Sequence, residues 1–581
     1  MPLRTLLGRE DFWPIAAPLA VGVGATHPLF AGSPIALAAT AAAGVGAYKY
    51  YQAETKRRMR TVDEDAFENF SLPSDDTFDE NLGLGGLRIG FTKDRKLPVD
   101  IENDKLMRHL AIVGQSGVGK TVLGMNILWQ QTARGGGWLF IDAKLDKDVR
   151  DQLAYMTRIF GREDEFYVMN VNEPENSNTY NPLLNGDPDE IASRLLNLLP
   201  SSDNNPGSDF YKQSANYALT VLVGALQAAN KRYTFMDLAI MLQSAAAIGK
   251  VETLVPLDSQ AFMVLQVFLD TFKKKDKNGV QVDTEKLKQI LGGMSGRIAQ
   301  FAQGKFGKVF NTTTPEIDLT EIVRHNKMCY VMLPTMAKDT AAQNLGKMIL
   351  SDLRTAIAKM QELTKSERPN PPFICFADEM GSYVMPGISR VFEQARSAGV
   401  MMIPAFQTFA NLASVSPEFE EMIIGNTWTK CFFKLGSIDS ATKAADLIGQ
   451  QKNYVHSVSS SKSESASAQS LRVTPESSQS ESGGVGESWR QQEEYRISPD
   501  KLLRMGVGEC VMCSGPRTFH ISTQAIAFPP VPEFKKSTYP TSLPAGFTTL
   551  NLEGQYEKFL IGMNINTKEA ANKEEAIPEP M

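Results

Sequence analysis

The chain has 581 residues, enough for about two to four domains and a sizeable core. Its 60 Lys and Arg against 66 Asp and Glu give a formal charge of -6, which excludes the overall basic footprint of many nucleic-acid binders and confines any such contact to a local patch. The 5 cysteines fall mostly in apolar, strand-like segments, as reduced core residues do, and the 5 scattered histidines lack the HExxH-type spacing of a zinc site.

In chain order, Phe12 to Tyr48 comes first, nearly free of charge, rich in Ala, Gly, Val and Leu, and broken by His27-Pro28 and Gly32-Ser33-Pro34. This predicts a transmembrane helical hairpin: a bilayer core needs about 20 apolar residues per helix, which Leu29 to Tyr48 supplies, while the arm Phe12 to Thr26 is shorter. Arg4 and Arg9 precede it and Lys49, Lys56, Arg57, Arg58 and Arg60 follow, so the positive-inside tendency places both ends, and the bulk of the chain, in the cytoplasm. Residues 1–60 are assigned to this membrane segment, and a polar connector follows around Thr61 to Asn81.

The apolar run Leu110-Ala-Ile-Val113 leads into Gly114-Gln115-Ser116-Gly117-Val118-Gly119-Lys120-Thr121, the full phosphate-binding loop pattern. The three glycines let the backbone curl until its N–H groups face phosphate oxygens, and helix-forming residues from Thr121 to about Arg134 place the anion at a helix N-terminus. In that pattern Lys120 reaches the β- and γ-phosphates of ATP and the Thr121 hydroxyl binds Mg²⁺. Further apolar runs at Trp138 to Ile141, Phe166 to Val171, Met328 to Leu333, Phe373 to Ala377 and Val400 to Pro404 alternate with helical stretches, which predicts an α/β fold with a parallel sheet covered by helices. The site residues then fall at the carboxyl ends of strands.

Residues 183–310 interrupt the alternation with helical periodicity and are expected to form an all-α inserted domain between two parts of the nucleotide-binding domain, 61–182 and 311–530. The insert carries Lys273-Lys-Lys-Asp-Lys277, which reads as a solvated loop. Phe373-Ile-Cys-Phe-Ala-Asp378-Glu379 has the Walker B form, with Asp378 on the metal and Glu379 turned toward the attacking water. Residues 457–488, rich in Ser, Glu, Gln and Gly, are expected to be a disordered loop. A short helix near Ile497 to Leu503, a closing strand pair within Gly508 to Gln524 and a polar tail, 531–581, complete the chain.

With these pieces in order the sequence resembles the type IV secretion coupling proteins, the TraG/TraD family of membrane-anchored ATPases, over most of residues 12 to 525. Besides the two Walker segments, the resemblance rests on Leu139-Phe-Ile-Asp-Ala-Lys144, on Tyr180-Asn-Pro-Leu183 before the insert, and on Ala395-Arg-Ser-Ala-Gly399 followed by Ala405-Phe-Gln407. Ala143 stands where the family usually has proline, and Leu145 where it commonly has glycine. The resemblance implies a RecA-like domain with an all-α insertion, assembled as a hexameric ring in the bacterial inner membrane. It further implies that Arg396 reaches a neighbouring subunit's nucleotide and that Gln407 senses the γ-phosphate. The expected partners are DNA, held mainly through its phosphates, a relaxase or effector protein, other secretion-channel subunits and inner-membrane lipids. The implied activity is ATP-driven transfer of a DNA-relaxase cargo; the alternatives are an effector-recruitment platform of the same family and a membrane-tethered chromosome-type DNA translocase.

Overall fold

Each apolar run between Leu110 and Pro404 becomes a strand buried along its whole length, the pattern of strands covered on both faces. The structure, a computed structural model, describes residues 86–199, 206–276, 279–336, 339–464 and 481–552. In chain order the strands are β1 (Gly86–Thr92), β2 (Pro98–Glu102), β3 (Leu110–Val113), β4 (Trp138–Asp142), β5 (Phe166–Asn170), β6 (Lys231–Arg232), β7 (Lys273–Asp276), β8 (Gly279–Val282) and β9 (Met328–Met332). They continue with β10 (Phe373–Ala377), β11 (Val400–Phe406), β12 (Thr429–Phe432), β13 (Gln450–Glu464), β14 (Glu481–Tyr495), β15 (Glu509–Ser514), β16 (Arg517–Ser522) and β17 (Thr548–Thr549). The predicted hairpin over residues 12–48 lies outside the described residues; among those described, no helix is long and apolar enough to cross a membrane.

The main sheet has 11 strands in the order β2-β1-β16-β15-β12-β3-β11-β10-β4-β9-β5. From β12 to β5 every neighbour runs parallel, whereas β15, β16, β1 and β2 extend the sheet antiparallel. The sheet is therefore mixed rather than wholly parallel. Its antiparallel part follows from short connections: Ser514 pairs with Arg517 across only Gly515-Pro516, and a two-residue link can join antiparallel strands but not parallel ones. Pro404 has no N–H to donate, and the register of β11 with β3 begins after it, at Ala405. The helix Lys120–Ala133 lies close on the sheet through Gly124, where a Cβ would stand 2.3 Å from the Phe376 ring.

Between β5 and β9 the helices Pro188–Leu196, Pro206–Ala228, Phe235–Met241, Ala245–Glu252, Gln260–Asp270, Thr284–Ala302 and Gly304–Phe310 pack together. Their starts are fixed by side-chain caps from Thr234, Ser244, Ser259 and Asp283, which satisfy otherwise unpaired N–H groups. The Tyr180-Asn-Pro-Leu183 segment forms the junction. Tyr180 Oη donates to Asp352 at 2.6 Å, Asn181 Nδ2 donates to the carbonyls of Tyr233 and Thr312, and a fully buried Arg194–Asp352 ion pair at 3.0 Å ties the helix Pro188–Leu196 to Asp339–Glu362.

Three segments differ from expectation. Lys273–Asp276 of the basic run forms β7 and pairs antiparallel with β8 rather than forming a loop, in keeping with the β-propensity of Val280 and Val282 in the partner arm. Residues 457–464 and 481–488, expected to be disordered, belong to the antiparallel ladder β13–β14, with the residues between them outside those described. Composition tests whether a segment can bury a core, but a ladder satisfies its own N–H and C=O groups without one. The tail, predicted as polar and frayed, is laid across the protein up to Leu552, the remainder lying outside the described residues. Tyr539 stacks on Tyr167 with ring centroids 4.2 Å apart, Phe534 meets Phe166, and β17 pairs with β6 in the insert.

Candidate nucleotide site

Four strands that are neighbours in the sheet, β3, β11, β10 and β4, each deliver their next residues to one edge. From β3 comes the loop Gly114 to Thr121, from β11 Gln407, from β10 Asp378 and Glu379, and from β4 Ala143 and Lys144. The loop is held from behind: Gln115 N donates to Lys434 O at 2.9 Å, Gly508 N donates to Val118 O at 2.9 Å, and a Cβ at Gly114 would stand 2.6 Å from Phe433 Cβ. Gly117 and Gly119 have φ of 78° and 114°, a region open to glycine at little cost, and Gly119 caps the helix Lys120–Ala133. Ser116 and Gly117 are exposed at the mouth of the loop, while Val118 is buried beneath it.

The two Walker segments, more than 250 positions apart, meet here. Thr121 Oγ1 donates to Asp378 Oδ2 at 3.2 Å. Lys120 Nζ donates to the carbonyls of Gly114 and Gln115 at 2.7 and 3.2 Å and lies 3.6 Å from Glu379 Oε1. Gln407 Nε2 donates to the same Glu379 oxygen at 3.0 Å. Residues adjacent on a strand face opposite ways, but Glu379 has φ of 50°, and this left-handed turn brings its carboxylate to the same edge as Asp378. Tyr383, fully buried, donates to the Asp378 carbonyl at 2.9 Å and fixes the turn from below.

Charge in the site is concentrated and shielded from water. Asp378 is fully buried, the Glu379 side chain is 12% exposed and Lys120 is 3% exposed. Burial pulls the Lys120 ammonium below its ordinary pKa, against the pull of Glu379 and Asp378. Burial also pushes the Asp142 carboxyl up to about 6, although Tyr330 Oη donates to it at 2.7 Å. The donor set fits Mg²⁺, a hard cation that takes hydroxyl and carboxylate oxygens and prefers few protein ligands. Thr121 and Asp378 would hold it, and the open face of the loop at Gly117, where a Cβ would have no neighbour within 4 Å, leaves room for phosphate.

Arg396 is not brought to this cluster. It lies at the surface, 48% exposed, with Nη2 3.1 Å from Asp104 Oδ1. Lys144, whose strand end departs from the family pattern at Ala143 and Leu145, has its ammonium 3.2 Å from Asp378 Oδ2 and 3.5 Å from Glu379 Oε1. Its signal in the sequence was its place two residues beyond a buried strand end. The Gly506-Val-Gly508 turn behind the loop was missed; its paired glycines were the available sign.

Residues 372–506 match the family described as the TraM recognition site of TraD and TraG. The type 4 coupling protein DotL of Legionella pneumophila is 25% identical over 389 residues, 59% of this chain, which spans about half (50%) of that relative's length. An uncharacterized protein of Mycoplasma pneumoniae is 33% identical over 109 residues, 19% of this chain and 69% of that one. The fold is similar to that of the bacterial conjugative coupling protein TrwB in an unbound form, with a TM-score of 0.52 at 13% identity, covering 75% of this chain and 90% of that one. It is equally similar to TrwB in complex with a non-hydrolysable ATP analogue, with a TM-score of 0.52 at 13% identity over 78% and 97% of the two chains. TrwB has also been solved with ADP and Mg²⁺, again at a TM-score of 0.52 and 13% identity over 75% and 90%.

Proposed function

We propose that the chain is a type IV coupling protein, a membrane-anchored ATPase that brings a DNA-relaxase cargo to a type IV secretion channel and drives its transfer, a reading supported by the TraD and TraG family match over residues 372–506 and by the similarity to DotL. The observation that carries this reading is the Thr121–Asp378 hydrogen bond, which joins two distant Walker segments beside Lys120 and Glu379. ATP lies along the loop Gly114 to Thr121, its phosphates facing backbone N–H groups and Lys120. Thr121 and Asp378 would hold Mg²⁺, which when bound would neutralise charge on the phosphates. Glu379 orients and deprotonates the attacking water, and Gln407, bonded to Glu379, senses the γ-phosphate and passes its loss to β11. Arg396, free of its own subunit's site, acts on a neighbour's nucleotide in a hexameric ring. Residues 12–48 anchor the ring in the inner membrane with the bulk of the chain cytoplasmic.

A second reading, an effector-recruitment platform, is favoured by the apolar side chains that the insert leaves at its surface, Phe210, Met263 and Val267, each at least 57% exposed. DNA dependence separates the two. Full-length protein in lipid nanodiscs should hydrolyse ATP slowly, DNA should accelerate it in a salt-sensitive manner, and Lys120→Ala should abolish both. No acceleration by single- or double-stranded DNA, together with tight effector binding, would favour the platform.

A further inference from the structure

Lys144 takes no part in the mechanism above, yet it touches both Walker B carboxylates. Asp378 Oδ2, its nearer partner, is also the oxygen that accepts from Thr121. A divalent cation held by Thr121 and Asp378 and the Lys144 ammonium therefore compete for one oxygen and repel each other. Asp378 is fully buried, whereas Lys144 is 40% exposed, so the lysine is the partner with room to move away.

Its backbone is positioned to transmit such a move. Lys144 N donates to Asp142 Oδ1 at 3.0 Å, and Leu145 has φ of 53°, a left-handed conformation strained for leucine, at the position where the resemblance led one to expect glycine. The turn is tied to a second segment: Leu333 N donates to Asp142 O at 2.8 Å, and Thr335 Oγ1 donates to Ala143 O at 2.5 Å. Met336, next along, is 98% exposed.

We propose that Lys144 is a positioning residue: it balances Asp378 and Glu379, is displaced when Mg²⁺-nucleotide binds, and by that displacement shifts the Ala143 carbonyl and the Leu333 to Met336 segment bonded to it. The proposal rests on the Mg²⁺-nucleotide reading of the same site and adds a route from that site to the surface.

Two readouts independent of turnover test it, both on the full chain. In the first, Mn²⁺ alone is titrated into nucleotide-free protein and followed by electron paramagnetic resonance. Lys144→Met, which removes the competing cation, should bind Mn²⁺ about tenfold more tightly, and Lys144→Arg should stay near the unsubstituted protein. Unchanged or weaker binding in Lys144→Met overturns the proposal. In the second, Met336→Cys is labelled with an environment-sensitive fluorophore; the five native cysteines are all buried, so the label goes to position 336. Mg²⁺-ADP should change the fluorescence when Lys144 is present and leave it unchanged in Lys144→Met, although calorimetry shows nucleotide bound in both. The same change in both proteins overturns the proposal, as does loss of Mg²⁺-ADP binding in Lys144→Met, which would make Lys144 a ligand contact. If the protein with Lys144 intact binds no Mg²⁺-ADP, the nucleotide reading itself fails and takes the proposal with it. Lys144→Gln serves if Lys144→Met does not fold.

Discussion

At the scale of single residues, Glu379 shows how a site is assembled at the expense of local comfort. Its left-handed backbone costs a non-glycine residue about 1–2 kcal/mol, and in exchange two consecutive carboxylates reach one edge of the sheet. If Glu379 orients water, Glu379→Gln should leave nucleotide affinity within a few fold and lower kcat by about 10²-fold or more; weakened affinity with kcat unchanged would assign it to binding alone. His109 carries a prediction about pH. Burial pushes its imidazole down to about 4 from 6.5, outweighing the Phe392 carbonyl it faces at 2.9 Å, with Arg396 adding to the fall. Met402 N donates to its Nδ1, so the ring is neutral and Nε2–H donates to Phe392 O. A folded-state value below the ordinary one gives stability that is complete above pH 6.5 and is lost as pH falls through about 4, on the order of 3 kcal/mol for this group. His520, also lowered to about 4 chiefly by burial, contributes a limb of the same sign, and Asp142, raised to about 6, one of the opposite sign. Thermal melts from pH 7 to 4 should therefore fall less steeply in His109→Gln than in the unsubstituted protein. The Walker residues were legible in the sequence because a phosphate loop is a local motif whose spacing encodes its geometry. Lys144 was not, because its partners Asp378 and Glu379 come from another strand, and no spacing within Asp142-Ala-Lys144 reveals them.

At the scale of elements, the junction of the insert depends on a buried polar network. Arg194 and Asp352 are both essentially inaccessible, and Arg194 also donates to the carbonyls of Pro182 and Asn185 and to Thr355 Oγ1. Removing one charge strands the other, so Arg194→Met should destabilise the protein by about 3–5 kcal/mol in urea unfolding, whereas Tyr180→Phe, which removes only a hydroxyl, should cost about 1–2 kcal/mol. An equal and small effect of both would show that the network is not what holds the junction. The strands of the parallel core were readable as apolar runs because they are covered on both faces. The ladder β13–β14 and the extended segment up to Leu552 were not, since each is held by backbone pairing or by a few aromatic anchors such as Phe534 and Tyr539, which composition averages away.

At the scale of the whole molecule, chain segments hundreds of residues apart meet at one edge of the sheet, and the proposed Mg²⁺-nucleotide site there would be completed by a neighbouring subunit. Arg396 bonds only to exposed Asp104 among the described residues, consistent with a role outside its own subunit's site. Arg396→Ala should reduce ATP hydrolysis of the assembled protein by about 10³-fold while leaving nucleotide affinity and oligomer size unchanged. Activity that persists at its full level would remove the action between subunits but leave the site itself intact. The site is tested most directly by calorimetric titration of a non-hydrolysable ATP analogue into the full chain, with and without Mg²⁺, alongside Lys120→Ala and Asp378→Asn. Binding to the unsubstituted protein should be saturable, should be lost in Lys120→Ala, and should lose only its Mg²⁺ dependence in Asp378→Asn. Absence of binding to the unsubstituted, folded protein, or equal Mg²⁺ dependence with and without the Asp378 carboxylate, would contradict the Mg²⁺-nucleotide assignment of the site.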